Sequence, residues 1–110
     1  MKMHNVPFTV IDWKAVDPVE YMGETGTSLW HVFEAGNIRA RIVEYSPNYR
    51  SDHWCPRGHV FLVLEGEFGI ELKDGRSFLL SPGVSFLAGD DEANPHLGYS
   101  KRGARAFIVD

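Results

Sequence analysis

The only cysteine and three of the five histidines of this chain fall in three short stretches: Asp52-His53-Trp54-Cys55, His59 and His96. From the first of them the spacing runs His-x-Cys-x3-His-x6-Gly, ending at Gly66. Imidazole and thiolate are borderline-to-soft donors, suited to a transition metal rather than to calcium or magnesium. On an extended segment residues 53 and 55 point to the same face, about 7 Å apart by strand rise, close enough to converge on one ion. His59 opens the next strand and shares parity with Phe61 and Val63, which places it in the interior. His96 is remote in sequence, and closing a sheet into a barrel brings such a residue back. The expected metal ligands are therefore His53, Cys55, His59 and His96. A lone cysteine is otherwise most often a small buried apolar residue; its company with histidines argues for the metal.

These residues need strands to hold them, and the chain supplies strands. Residues 1–27 read as an irregular strap, broken by Pro7, Pro18, Gly23 and Gly26 and packing on the rest; residues 28–110 read as the barrel. Ile38, Ala40 and Ile42 alternate with Arg39 and Arg41, a period of two with one dry face. On that parity the arginines point outward, and Glu44 points inward unless a bulge near Pro47 turns it out. Glu44 is thus a weak candidate for a pocket acid or base. Residues 60–64 are apolar on both parities, as in a strand covered on both faces. Either the strap or a second subunit would cover it. Asp74-Gly75 is a strong hairpin signal, since a type I′ turn needs positive φ at two residues. Tyr45, Tyr49 and Phe86 are candidates for the barrel mouth. Asp52 and Trp54 have the opposite parity to the ligands and are expected to pack outside. His4 and His31 have no partner by spacing. Evenly spaced strands with tight turns and no amphipathic helix imply an all-β antiparallel sandwich or barrel.

The totals set the outer limits. A chain of 110 residues makes one domain with one core. A formal charge of −4, with no Lys/Arg cluster, argues against nucleic acid. No apolar run is long enough to cross a membrane, and Met1-Lys2-Met3-His4-Asn5 leads into no signal-peptide stretch. One cysteine forms no internal disulfide, in keeping with a reducing compartment; a cytoplasmic location is expected.

The metal-capable pattern resembles the cupins, whose first motif is G-x5-H-x-H-x(3,4)-E-x6-G. His53 stands at its first histidine, Cys55 at the second, His59 at the glutamate and Gly66 at the closing glycine. The second cupin motif is degenerate: Gly83 and His96 match its glycine and histidine, but the loop between them is longer and the following asparagine is missing. More closely, Val43-Glu44-Tyr45-Ser46-Pro47, Asp52-His53-Trp54-Cys55, Gly58-His59, Leu64-Glu65-Gly66-Glu67, Asp74-Gly75-Arg76 and Phe107-Ile108-Val109-Asp110 are similar to the small single-domain bacterial DHCW-motif cupin fold proteins. The resemblance spans nearly the whole chain. It implies a single-domain cupin, a double-stranded β-helix or jelly-roll barrel, and, since cupins commonly pair through sheet faces, a homodimer; it brings no reaction with it. Three histidines and one thiolate sum to the charge of the usual three histidines and one carboxylate, with a softer donor. Zinc, iron, nickel, cobalt or copper would suit it; a three-histidine centre beside a free thiol is the alternative.

Three functions follow. One is a mononuclear divalent-metal cupin that acts on or binds a small molecule, as a Lewis acid or as a ferrous centre activating dioxygen. A second is a non-catalytic cupin with a closed structural site. The third, metal-free thiol chemistry at Cys55, lacks an oxyanion loop or a nucleophile-to-helix turn to support it. Whether the protein is an enzyme stays open at this point.

Overall fold

The computed structural model describes residues 2–110; Met1, the first residue of the expected strap, lies outside them. Ten strands follow a single 3-10 turn at Trp13–Ala15: β1 (Val19–Met22), β2 (Thr27–Ala35), β3 (Ile38–Tyr45), β4 (Tyr49–Arg50), β5 (His59–Gly66), β6 (Phe68–Leu72), β7 (Ser77–Leu80), β8 (Ser85–Ala88), β9 (His96–Ser100) and β10 (Ala104–Val109). They form a six-stranded sheet, β1-β2-β3-β10-β5-β8, and a four-stranded sheet, β4-β9-β6-β7. Every pairing is antiparallel. Two antiparallel sheets face to face around one core make a jelly roll, and no α-helix occurs among the described residues. Among the described residues no helix is long and apolar enough to cross a membrane.

The register fixes which side chains share a face. Val32, Arg41, Ile108, Phe61 and Phe86 stand in one row across β2, β3, β10, β5 and β8. That row looks into the barrel, where Phe61 and Ile108 are core residues. His31, Ile42, Phe107 and Leu62 form the neighbouring row on the other face. The chain before β2 lies against that outer face: Trp13 meets the Phe107 ring edge-on at 6.2 Å, and the Val16 carbonyl lies 2.7 Å from His31 Nδ1. The strap is less irregular than its prolines and glycines imply, because Val19–Met22 pairs with β2 as an edge strand.

Three expectations are corrected by this register. Arg39 and Arg41 face inward, and Ile38, Ala40 and Ile42 face outward. The central part of β3 is dry on both faces, so its apolar parity does not mark the inside; the outer parity is apolar because the strap covers it. Glu44, opposite Leu29 and Arg105, is on the outer face as well. It stands 3.0 Å from His31 Nε2, so His31 does have a partner and Glu44 is not a pocket acid. The outer parity of residues 60–64 is only partly covered, with Val60 exposed.

The His31–Glu44 pair gives a pH dependence. The hydrogen bond to Glu44, then that to the Val16 carbonyl, raises the His31 pKa against the opposing effect of burial. A raised folded-state pKa contributes stability that is complete below about pH 6.5 and is lost as pH rises through the folded value. The carboxylate is half exposed, so the contribution is about 1 kcal/mol or less. Melting temperatures of the wild type and Glu44→Gln are expected to differ at pH 6 and to converge by about pH 9; a constant gap would mean that the pair does not titrate.

The core leaves no room at one backbone position. A Cβ on Gly98 in β9 would overlap the Phe68 ring, itself a buried core residue. Gly98→Ala is expected to cost about 1–3 kcal/mol, the usual range for overpacking, measured by denaturant unfolding. A neutral result would show that the Phe68 ring moves aside freely.

Candidate metal centre

Cys55, His59 and His96 come together. One ligand atom from each lies within 4.8 Å of the others, and Cys55 Sγ is 3.7 Å from His59 Nε2. Each arrives for a local reason. Cys55 and His96 face each other across an isolated antiparallel bridge, closed by hydrogen bonds from Cys55 N to the His96 carbonyl (2.7 Å) and from His96 N to the Cys55 carbonyl (2.9 Å). Directly opposed residues of such a bridge present their side chains on one face. His59 begins β5 on the parity of Phe61 and Val63, as expected, and both of these are buried. The His59 and His96 rings meet edge-on, with centroids 5.1 Å apart.

His53 is not part of that group. The chain bends at residues 52 and 53 rather than running extended, so the two-residue parity with Cys55 is lost. Its side chain is 69 % exposed, with Nδ1 2.7 Å from Asp52 Oδ1. It nevertheless borders the same cavity, and a protonated His53 would oppose a charge on His96. Asp52 and Trp54 stand outside, Trp54 under the Lys73 ammonium at 4.4 Å. The acidic loop ties down the segment that carries Cys55: Gly58 N donates to Asp90 Oδ1 (2.6 Å) and Asp91 N to the Pro56 carbonyl (2.9 Å).

Behind the cluster is a buried ion network that the strand pattern conceals. The Asp110 side chain is 2 % exposed. Arg39 donates to both its oxygens, Nε to Oδ1 at 2.9 Å and Nη2 to Oδ2 at 2.8 Å. Arg41 Nη2 reaches Oδ2 at 3.3 Å, and Arg57 Nε lies 3.6 Å from it. His59 Nδ1 is 2.9 Å from the same oxygen, a bonding distance, although its approach is too oblique to complete a hydrogen bond. Burial alone would raise the Asp110 pKa; the Arg39 hydrogen bonds and the charges of Arg41, Arg39 and His59 overrule it and hold the carboxyl at about 2. One signal in the sequence pointed here: Ala104, Ala106 and Ile108 are the inward parity of β10, and Asp110 continues it.

The electrostatics suit metal ligation. Burial, then the Arg41 charge, pushes His59 down to about 4, and burial lowers His96 too. Both imidazoles are neutral at pH 7, the form that binds metal. With Nδ1 2.9 Å from the Asp110 carboxylate, His59 offers Nε2 to the cluster; a small rotation of the ring would complete the hydrogen bond that fixes tautomer and orientation in metal sites. Tetrahedral zinc with ordinary Zn–S and Zn–N bonds would set sulfur and nitrogen about 3.6 Å apart, and the Cys55–His59 separation agrees.

The cluster borders a cavity of about 300 Å³ whose walls include Trp30, Arg41, Tyr45, Tyr49 and Phe68. The aromatic residues expected at the mouth, Tyr45, Tyr49 and Phe86, all line it. A larger cleft of about 600 Å³ runs beside β7 and β8 and shares Ile70, Phe86 and His96 with it.

No protein-family model matches the sequence, and no curated protein does either. Solved structures do match in shape. Ectoine synthase from P. lautus superposes with a TM-score of 0.73 at 13 % identity, over 93 % of this chain and 76 % of that one. The iron(II) form of HppE in complex with substrate gives 0.73 at 13 %, over 94 % of this chain and 60 % of that one. An RmlC-like cupin from Shewanella frigidimarina gives 0.68 at 20 %, over 87 % and 83 %. At such identities the likeness speaks for the fold, which is the cupin jelly roll expected from the motif.

Proposed function

We propose that this chain, a cupin by its fold, holds one divalent transition metal through Cys55, His59 and His96 and presents it to a small molecule in the adjoining cavity. The observation that carries the reading is the convergence of one thiol sulfur and two neutral imidazoles from separate parts of the chain on one spot. A site with three protein ligands keeps a coordination position open, which is how catalytic rather than structural zinc sites are built. Such a metal would supply Lewis acidity or, as iron(II), activation of dioxygen. The protein's own part is to keep His59 oriented through Asp110 and to line the cavity with aromatic rings that exclude water. That iron(II) HppE holds substrate within the same fold agrees with this reading.

The rival reading is a closed site with His53 as fourth ligand, and its support is the place of His53 at the cavity wall. Elemental analysis of protein purified without a histidine tag tests both. About one equivalent of metal per chain, retained in His53→Ala, is the expected result. Metal lost in that variant alone favours the closed site. Protein that neither carries a metal nor takes one up would remove the proposal.

A further inference from the structure

The cavity beside the cluster is built for an anion. The wall beside the metal-capable side chains carries two arginines against a single carboxylate, which itself lies 2.9 Å from His59 Nδ1. Arg39 already uses both Asp110 oxygens at 2.8 and 2.9 Å. Arg41 receives only the remainder, one bond at 3.3 Å. Arg41 is 5 % exposed and lines the cavity, and its buried Nε has no partner. Its guanidinium also lies 4.3 Å from the centre of the Trp30 ring. A buried guanidinium whose donors are under-used is costly, and the inner wall keeps one positive charge in excess, Arg39 and Arg41 over Asp110. Arg57 adds a further charge at the exposed rim, where water screens it.

From these residues the geometry points to a small organic carboxylate as the ligand of this cavity, its oxygens taken by Arg41 and its remaining atoms directed toward Cys55, His59 and His96. A planar carboxylate matches the fork of a guanidinium. In the metal-free cavity a single negative charge balances the excess, whereas a dianionic phosphate would leave charge uncompensated among Phe61, Phe68 and Ile108 on the cavity wall and would cost more to desolvate. Tyr45 and Tyr49 also line the cavity. Burial raises both their pKa values, so at neutral pH their hydroxyls are available as donors. A volume of about 300 Å³ is at the small end of ligand pockets; a cavity of about 150 Å³ already holds benzene, so the acid is a small one of up to about a dozen non-hydrogen atoms. The placing of the ligand next to a metal rests on the function proposed above; anion recognition by Arg41 does not.

The test is calorimetric titration of chelator-treated wild type with propanoate, 2-hydroxypropanoate and pyruvate, with their amides, and with inorganic phosphate, repeated after zinc loading. At least one acid is expected to fill a single site per chain, with its amide at least tenfold weaker. Arg41→Gln should weaken that acid by about 10- to 100-fold, the effect of losing a hydrogen bond to a charged group. Because Arg41 is buried, Arg41→Lys, which keeps the charge and loses the fork, serves if the glutamine variant does not fold, and the acid–amide comparison needs no variant. Acid and amide binding alike, phosphate binding in place of the acids, or no acid binding in either form would overturn the proposal. So would binding that appears only with zinc and is unaffected at Arg41. Acids that bind to a chain unable to take up metal would remove the metal centre and leave this inference standing.

Discussion

A Cys55→Ser variant is expected to lose its metal, with affinity lower by more than about a hundredfold. Removing a partner that merely supports a ligand costs about 10- to 100-fold, and removing a direct thiolate costs more, since serine is a much poorer donor for a soft-to-borderline ion. The fold should survive, because Cys55 belongs to none of the long strands and its backbone bridge to His96 does not depend on the sulfur. Competition against a chromophoric chelator measures the change. A variant that keeps its metal would mean that sulfur is not a ligand; three histidines would then hold the ion, with His53 turned in from its exposed position.

Asp110→Asn is expected to be the most destabilising single change in the site, by about 3–5 kcal/mol, because it leaves buried guanidinium groups without their counter-charge. For a chain of this length that lowers the melting temperature by more than about 10 °C. Arg39 loses a bidentate partner, Arg41 its only carboxylate contact among the described residues, and His59 the carboxylate facing Nδ1. The last loss predicts a second phenotype, a metal affinity about 10- to 100-fold weaker through poorer orientation of the ring. Thermal unfolding and a metal titration of the same variant separate the two effects. A melting temperature within a few degrees of the wild type would show that water or a neighbouring side chain replaces the ion pair.

Much of this was legible in the residues, and each miss has its own physical cause. The parity of His59 with Phe61 and Val63 placed His59 correctly, because β5 has one face toward a dry core and a regular register. The strand spacing gave an antiparallel sandwich or barrel, and the resemblance narrowed it to the jelly roll. The hairpin does turn at Asp74-Gly75, but only Gly75 has positive φ, so it is not the type I′ turn expected, and Gly75 N bonds back to the Leu72 carbonyl instead. Arg39 and Arg41 were misplaced because a strand dry on both faces has no informative apolar parity; the arginines could be buried only because Asp110 lies opposite, and that pairing spans most of the chain. His53 was misplaced because a period of two holds only in extended chain, and the bend at Asp52 and His53 ends it. His31 and Glu44 sit on opposite hairpin strands, close in space through a register that spacing alone does not reveal.

Cobalt(II) titration of the metal-free protein, followed by optical spectroscopy, tests the convergence of these donors most directly. The expected result is saturation at one equivalent per chain, with a near-ultraviolet thiolate-to-cobalt charge-transfer band that is missing in Cys55→Ser and intense visible bands that weaken in His59→Ala and His96→Ala. A spectrum resembling cobalt in water, unchanged by those three substitutions, would contradict a metal centre at this place.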